Sequence, residues 1–195
     1  MQIKDLSKVF GDKTVLSHVS LSLDSGIYAL TGDSGSGKTT LLRIIAGLCA
    51  PDTGSANAEG SVAMMFQDDR LFPWLSASEN VQAAQNNHAT DKAKADELLS
   101  SLGLAESLNA YPGELSGGMK RRTALARTLY AERDVLLLDE PFTGLDKENI
   151  IAACDAISKS KAKLVIIASH NLSLVPLSFA GMIETGENGH VSLSR

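Results

Sequence analysis

The sequence is poor in cysteine, in aromatic side chains and in long apolar runs, and it carries no excess of positive charge. Only Cys49 and Cys154 occur in 195 residues, far apart, with no C-x-x-C spacing and no histidine cluster. They argue against a disulfide framework or a zinc site and read as two small buried hydrophobes of a reducing compartment. The longest apolar runs, "VLLL" at 135–138 and "LVIIA" at 164–168, fall far short of the roughly 20 residues that a membrane helix needs. The opening "MQIKDLSKVF" lacks the apolar stretch of a signal peptide. A formal charge of −5 and a pI near 5.3 argue against a general nucleic-acid binder, whose backbone affinity comes from concentrated Lys and Arg. There is no internal repeat and no low-complexity linker.

With 44% hydrophobic and 21% charged residues, the chain is long enough for one well-buried domain carrying a small lobe. The first 23 residues are β-rich and broken at Gly11-Asp12, which predicts a hairpin on a small antiparallel sheet. "GIYALTG" reads as a buried strand entering a glycine loop, and "TTLLRIIAGL" after it has helical periodicity. "SVAMMF" is a second buried strand, ended by Gln67-Asp68-Asp69. From about 76 to 131 the pattern turns helical in three segments, 76–87, 91–104 and 116–131, with Leu98, Leu99 and Leu102 on one stripe. Strands return in "DVLLLDE" and "KLVIIASH", apolar throughout as in a parallel sheet covered on both faces. Between them Ile150, Ile151, Cys154 and Ile157 have helical spacing. The end, from Gly181, reads as two short strands around a Gly/Asn turn. The fold class is α/β: a parallel-sheet core, an N-terminal antiparallel β subdomain and a small helical subdomain. One domain spans 1–195, with a core of 1–67 and 132–195 and a helical part of 68–131.

The chemistry starts at Gly32-Asp33-Ser34-Gly35-Ser36-Gly37-Lys38-Thr39, followed by Thr40. The spacing G-x-x-x-x-G-K-[ST], after a buried strand and before a helix, is that of a P-loop. Its glycines let successive N–H groups close on phosphate oxygens, and the helix N-terminus adds partial positive charge. Lys38 is expected to reach the β and γ phosphates of a nucleotide and Thr39 to hold Mg²⁺. Asp139 and Glu140 end the "VLLLDE" strand. Successive strand residues point to opposite faces, so the two carboxylates are assigned different jobs, Asp139 to Mg²⁺ and Glu140 to the attacking water. His170 and Gln67 end neighbouring strands at the same carboxyl edge, where doubly wound sheets bind ligands. His170 is placed at the γ-phosphate, and the Gln67 amide oxygen at Mg²⁺ or the water. His18, His88 and His190 have no such context and read as structural.

A second stretch breaks local rules. "LSGGM" at 115–119, followed by Lys120-Arg121-Arg122, starts a helix with Ser116 as N-cap but puts Gly117 and Gly118 in the first turn, a loss of roughly 1 kcal/mol each against Ala. Cations there also oppose the macrodipole. Rule-breaking of this kind marks function. A hydroxyl, two bare amides and nearby positive charge read as a second anion site, serving a phosphate on another molecule.

Six motifs in order resemble the ATP-binding subunit of an ABC transporter over nearly the whole chain. Walker A matches Gly32 to Thr39, the Q-loop Gln67, the signature Leu115 to Met119, Walker B Val135 to Glu140, the D-loop Gly144-Leu145-Asp146 and the H-switch His170. The resemblance implies a cytoplasmic ATPase, peripheral at the inner face of the cell membrane, with ATP and Mg²⁺ as cofactors. It implies a homodimer or heterodimer in which two ATP molecules lie between one Walker A and the other signature, so that Ser116, Gly117 and Gly118 serve the partner's γ-phosphate. Phe10 aligns with the aromatic that stacks on adenine. "FQDDRLFPWLSASENV" at 66–81 is most similar to importers of the nitrate, sulfonate and taurine type, which implies a membrane permease against Leu71, Phe72 and Trp74 and a substrate-binding protein beyond it.

Three features depart from the family pattern. Met119 stands where Gln is commonest, the stretch 51–62 is short, and the chain runs only to Arg195 after His170, without the C-terminal helices of many relatives. The first falls on the helix side of the signature. The last bears on dimer stability and regulation. An ABC-type ATPase uncoupled from transport is the alternative, although the long coiled coil of repair members is absent. A GTP switch protein would carry an Asn-Lys-x-Asp segment, and none is found.

Overall fold

The structure, a computed structural model, describes residues 1–85 and 91–194. In chain order its strands are β1 (Gln2–Phe10), β2 (Lys13–Ser22), β3 (Gly26–Thr31), β4 (Thr53–Asn57), β5 (Val62–Met65), β6 (Val135–Asp139), β7 (Leu164–Ala168), β8 (Gly181–Thr185) and β9 (Val191–Ser194). The α-helices are α1 (Lys38–Ile45), α2 (Ala77–Gln82), α3 (Lys92–Ser101), α4 (Gly117–Tyr130) and α5 (Lys147–Ser158). The expected segments are present with trimmed ends. Asn86 and Asn87 of the first helical segment, and His88, lie outside the described residues.

The apolar runs pair as their composition dictates. β5, β6, β7, β3 and β8 form a parallel sheet in that order, and β9 closes it antiparallel to β8. Leu136 and Leu138 on β6, with Val165 and Ile167 on β7, enter the apolar cluster on one face of this sheet. Their neighbours Val135, Leu137, Leu164 and Ile166 enter the cluster on the other. The strand period of two therefore feeds two cores, which is why neither strand tolerates a polar face. Asp134 fastens one end of this sheet. Its Oδ2 accepts from the Ser61 amide and hydroxyl, both at 2.9 Å, and its Oδ1 pairs with Lys163 at 3.0 Å. The Ser61 amide first, then Lys163, hold its carboxyl well below the usual carboxylate range.

β1 and β2 form the hairpin around Gly11-Asp12. β4 completes an antiparallel sheet of order β2-β1-β4 that packs with α1 over the second cluster. "TGSAN" alone predicts no strand, having no β-branched or aromatic residue beyond its first; pairing to β1, from Gln2↔Asn57 to Ser7↔Thr53, supplies what its propensity lacks.

The helices are delimited by side-chain caps. Ser76 and Glu79 make a capping box at α2. Asp91, Ser116 and Asp146 accept the first-turn amides of α3, α4 and α5. Leu99, Leu102, Leu125 and Tyr130 of the helical region share one apolar cluster with Leu136, Ile150 and Val165 of the sheet layer. Among the described residues the helices therefore stand on the core and have no separate one. Ile151 departs from its expected stripe and is exposed on α5.

Cys154 is buried in α5, and burial pushes its thiol up to about 11 from an ordinary 9.0. Keeping it neutral contributes stability that is complete below about pH 9 and is lost as pH rises through the folded value. A thiol-reactive chromophore at about pH 8 will titrate one cysteine in the native chain, the partly exposed Cys49, and the second only after unfolding.

Candidate active site

α1 has no side-chain cap; its N-cap is Gly37, whose φ of 104° only glycine adopts easily. The loop from Gly32 to Gly37 therefore wraps over bare helical amides. It is braced from the far end of the chain. Thr185, 2% exposed at the end of β8, donates its hydroxyl proton to Thr31 O at 2.9 Å, and its Oγ1 lies 2.6 Å from the Ser36 hydroxyl. A Cβ on Gly32 would stand 2.2 Å from the Thr185 carbonyl oxygen, so that loop position must be glycine. Lys38, 8% exposed, donates to the carbonyls of Gly32 at 2.6 Å and Asp33 at 2.8 Å, which parks its ammonium across the loop.

A cavity of about 380 Å³ opens beside this loop. Ser34, Gly35, Gly37, Lys38, Thr39 and Thr40 form one side, and Gln67, Asp139, Glu140 and His170 the other, with Val15 and Thr143 between. The strand ends thus deliver their polar residues to one place, as the parallel order β5-β6-β7-β3 requires. The Thr39 hydroxyl donates to Asp139 Oδ2 at 2.8 Å. Burial pushes the Asp139 carboxyl above its ordinary value; the Thr39 hydrogen bond works against that shift and the charge of Glu140 adds to it. A bound cation would return such a carboxylate to its charged form, and a hydroxyl, a carboxylate and an amide oxygen are the hard donors that Mg²⁺ takes. The residues present fit that ion.

Glu140 corrects the expectation that the two acids are separated by strand alternation. It lies one residue beyond β6 with φ of 53°, so it turns back to the cavity that Asp139 also faces. That conformation costs a non-glycine residue about 1–3 kcal/mol and persists only where the surroundings enforce it. Its Oε2 lies 3.0 Å from His170 Nδ1, whose N–H donates to the carboxylate. The different surroundings of the two acids remain: one buried against Thr39, the other against an exposed imidazole.

The basic run after the signature is a second correction. Arg121 and Arg122, read from sequence as charge for an anion, are 4% and 9% exposed and point inward. Arg121 donates to the carbonyls of Phe66, Gln67, Asp139 and Glu140 and pairs with Asp69 at 2.9 Å. Arg122 donates to Leu102 O at 2.6 Å and Gly103 O at 3.2 Å, closing α3 onto α4. Only Lys120 of the three stays partly exposed. Sequence spacing gave no sign of these partners, which lie up to 55 residues away. Met119 packs against the apolar cluster.

Not every expected residue reaches the cavity. Asp33 and Ser36, with Ser34 and Gly35, border an adjoining cleft against Thr185–Gly189. Phe10 stands half exposed on β1, with Lys8 Nζ 5.2 Å from its ring centre. Ser116, Gly117 and Gly118 lie outside it altogether. Gly118 has a reason within the chain, since its Cβ would stand 3.2 Å from the Gly144 carbonyl oxygen. Gly117 has none: nothing lies within 4 Å of where its Cβ would be. Sequence reasoning missed Thr185 and Asp69 and gave Arg121 the wrong role; all three are supports.

A glycine loop before a helix, facing acidic and polar strand ends of a parallel sheet, defines a P-loop nucleotide-binding α/β protein. The family profile described as ABC transporter matches residues 16–143. The chain belongs to the ABC transporter family. It is 46% identical over 147 residues to the aliphatic sulfonates import ATP-binding protein SsuB 1 of Paracoccus denitrificans, covering 74% of this chain and 60% of that protein. It is 38% identical over 179 residues to the corresponding protein of Corynebacterium glutamicum, covering 88% and 74%. The chain thus spans about 60% of the length of the first of these relatives. Among solved structures, a dimeric bacterial ABC transporter cassette superposes with a TM-score of 0.87 at 24% identity, covering 100% of this chain and 97% of that one. An ATP-binding subunit of an ABC transporter superposes with a TM-score of 0.84 at 25% identity, covering 99% and 88%.

The two signature glycines are separable by stability. Gly117→Ala will leave the chain as stable or raise it by up to about 1 kcal/mol in a urea melt, because helix propensity rises in open space. Gly118→Ala will gain less than Gly117→Ala in the same melt, because its methyl presses on the Gly144 carbonyl oxygen 3.2 Å away.

Proposed function

We propose that the chain is the ATP-binding and ATP-hydrolysing subunit of an ABC importer, closing head to tail on a second copy or a homologue and driving a separate membrane permease. One observation carries this reading: Lys38, Thr39, Gln67, Asp139, Glu140 and His170 line a single cavity, while Ser116 and Gly117 stand outside it on an exposed helix start. A site with one half of its phosphate ligands and an unused second half is complete only against another copy. The names of the relatives, which import aliphatic sulfonates, favour transport over an uncoupled ATPase.

In this reading Lys38 leaves the loop carbonyls for the β and γ phosphates of ATP, and the loop amides hold the rest. Mg²⁺ would be held by Thr39, Asp139 and Gln67 and would supply charge neutralisation across the β and γ phosphates. Glu140 orients the attacking water and accepts its proton. His170 keeps the Glu140 carboxylate turned to the cavity through Nδ1 and lies beside the γ-phosphate. Ser116, Gly117 and Gly118 of the other copy complete the anion cradle, and Phe10 offers an exposed ring to the adenine. Positioning and charge stabilisation supply most of the rate in phosphoryl transfer, and these residues do both.

The helical part, 68–131, carries the surface toward the permease. Phe72 and Trp74 are exposed with ring centres 5.6 Å apart, on a loop shaped by the buried Asn80, whose side chain accepts from Phe72 N and donates to the carbonyls of Phe72, Leu75 and Ser76. No helix among the described residues is long and apolar enough to cross a membrane. The span belongs to the permease, a substrate-binding protein delivers the cargo, and this chain works peripherally on the cytoplasmic face.

Glu140→Gln will lower turnover by at least about 100-fold while keeping ATP affinity, in paired ATPase and nucleotide-binding assays; turnover at the normal rate would remove Glu140 from its role. Light scattering of the same variant with ATP will show a dimer, and monomer alone at high protein and ATP would count against the sandwich. Adding Gly117→Ala to Glu140→Gln will abolish that dimer without loss of stability.

A further inference from the structure

The guanidinium of Arg121 has no place in the chemistry above, yet it is the most heavily engaged side chain beside the cavity. Its Nε and Nη2 both donate to the carbonyl oxygen of Glu140, at 3.0 and 2.7 Å, and Nη2 also to that of Asp139. Nη1 donates to the carbonyls of Phe66 at 2.9 Å and Gln67 at 2.8 Å, and to Asp69 Oδ1. One planar group thus joins three segments: the signature helix α4 that carries it, the Gln67 loop, and the end of β6. Its donors thus fall on both peptides that flank the Cα of Glu140, whose φ is left-handed: two on the carbonyl that follows that Cα and one on the carbonyl that precedes it. Arg127, six residues further along α4, holds only the next part of the loop, through Asp69 O at 2.6 Å and Arg70 O at 2.7 Å.

We propose that Arg121 is a positioning residue that locks the backbone of Glu140 in its left-handed turn and ties it, with the Gln67 loop, to the signature helix. Released from two donors, the Glu140 peptide relaxes toward an ordinary conformation, and its carboxylate swings off His170 and the water. The same link makes the setting of Glu140 follow the helix that starts at Ser116, so contact of that helix start with another copy's nucleotide reaches the carboxylate through a single side chain. Lysine cannot substitute: its ammonium keeps the charge but has no planar fork to span four carbonyls.

The inference rests on the ATPase reading, and its test has one readout that does not. The full chain carrying Arg121→Lys is compared with Arg127→Met, Glu140→Gln and the unaltered chain by steady-state kinetics and by the NMR resonances of the His170 ring, which sense the Glu140 carboxylate. Arg121→Lys will lower kcat at least about tenfold with KM for ATP within about twofold, and will shift the His170 resonances as Glu140→Gln does. Arg127→Met will leave both close to the unaltered chain. Arg121→Lys with unshifted His170 resonances, or with losses matching those of Arg127→Met, overturns the proposal. Should the lysine variant fail to fold, Asp69→Asn, which takes only the carboxylate from the same guanidinium, will shift kcat and the resonances less but in the same direction, and no shift overturns it. An unaltered chain that hydrolyses no ATP defeats the ATPase reading and leaves the resonances to decide on Arg121.

Discussion

A buried arginine among backbone carbonyls holds the working end of this molecule together. The parallel sheet brings the ends of β5 and β6 side by side, and the carbonyls at and just beyond those ends lie within reach of one side chain. Arg121 satisfies those of Phe66, Gln67, Asp139 and Glu140 at once and balances its charge on Asp69. Removing one partner of such a buried set leaves the others without compensation, at a cost of about 3–5 kcal/mol where the group is charged. No described buried side-chain nitrogen or oxygen lacks a hydrogen-bond partner.

The phosphate loop depends on a similar support from the opposite side. Glycines make the loop able to approach an anion, but they do not hold it in one shape; backbone freedom is what glycine costs. The Thr185 hydroxyl, delivered by the last hairpin, anchors Thr31 and Ser36 and fills the space that a side chain on Gly32 would need. A segment that looks peripheral in the sequence is therefore part of the loop's foundation.

Much of this was legible beforehand where the signal is local. The all-apolar composition of 135–138 and 164–168 required strands covered on both faces, and the two clusters cover them. The Gly11-Asp12 hairpin, the P-loop and the cap at Ser116 follow from residue chemistry within a few positions. That Gln67, Asp139 and His170 gather was readable too, since parallel strands put their carboxyl ends on one edge; that Glu140 turns to the same cavity was not. What misled was also local: "TGSAN" has weak strand propensity, and three cations at a helix start look like an anion site until their partners are known.

By itself the sequence determined the element types, the strand edge where the polar residues meet and the family motifs, because each is written in spacing over a few residues. The tertiary structure alone decided which way Arg121 and Arg122 face, that Glu140 turns into the left-handed region beside Asp139, and that Thr185 stands beneath Gly32. Those outcomes depend on contacts between residues 18 to 154 positions apart. A side chain's partner at that distance is set by how the layers stack, and no local propensity encodes it.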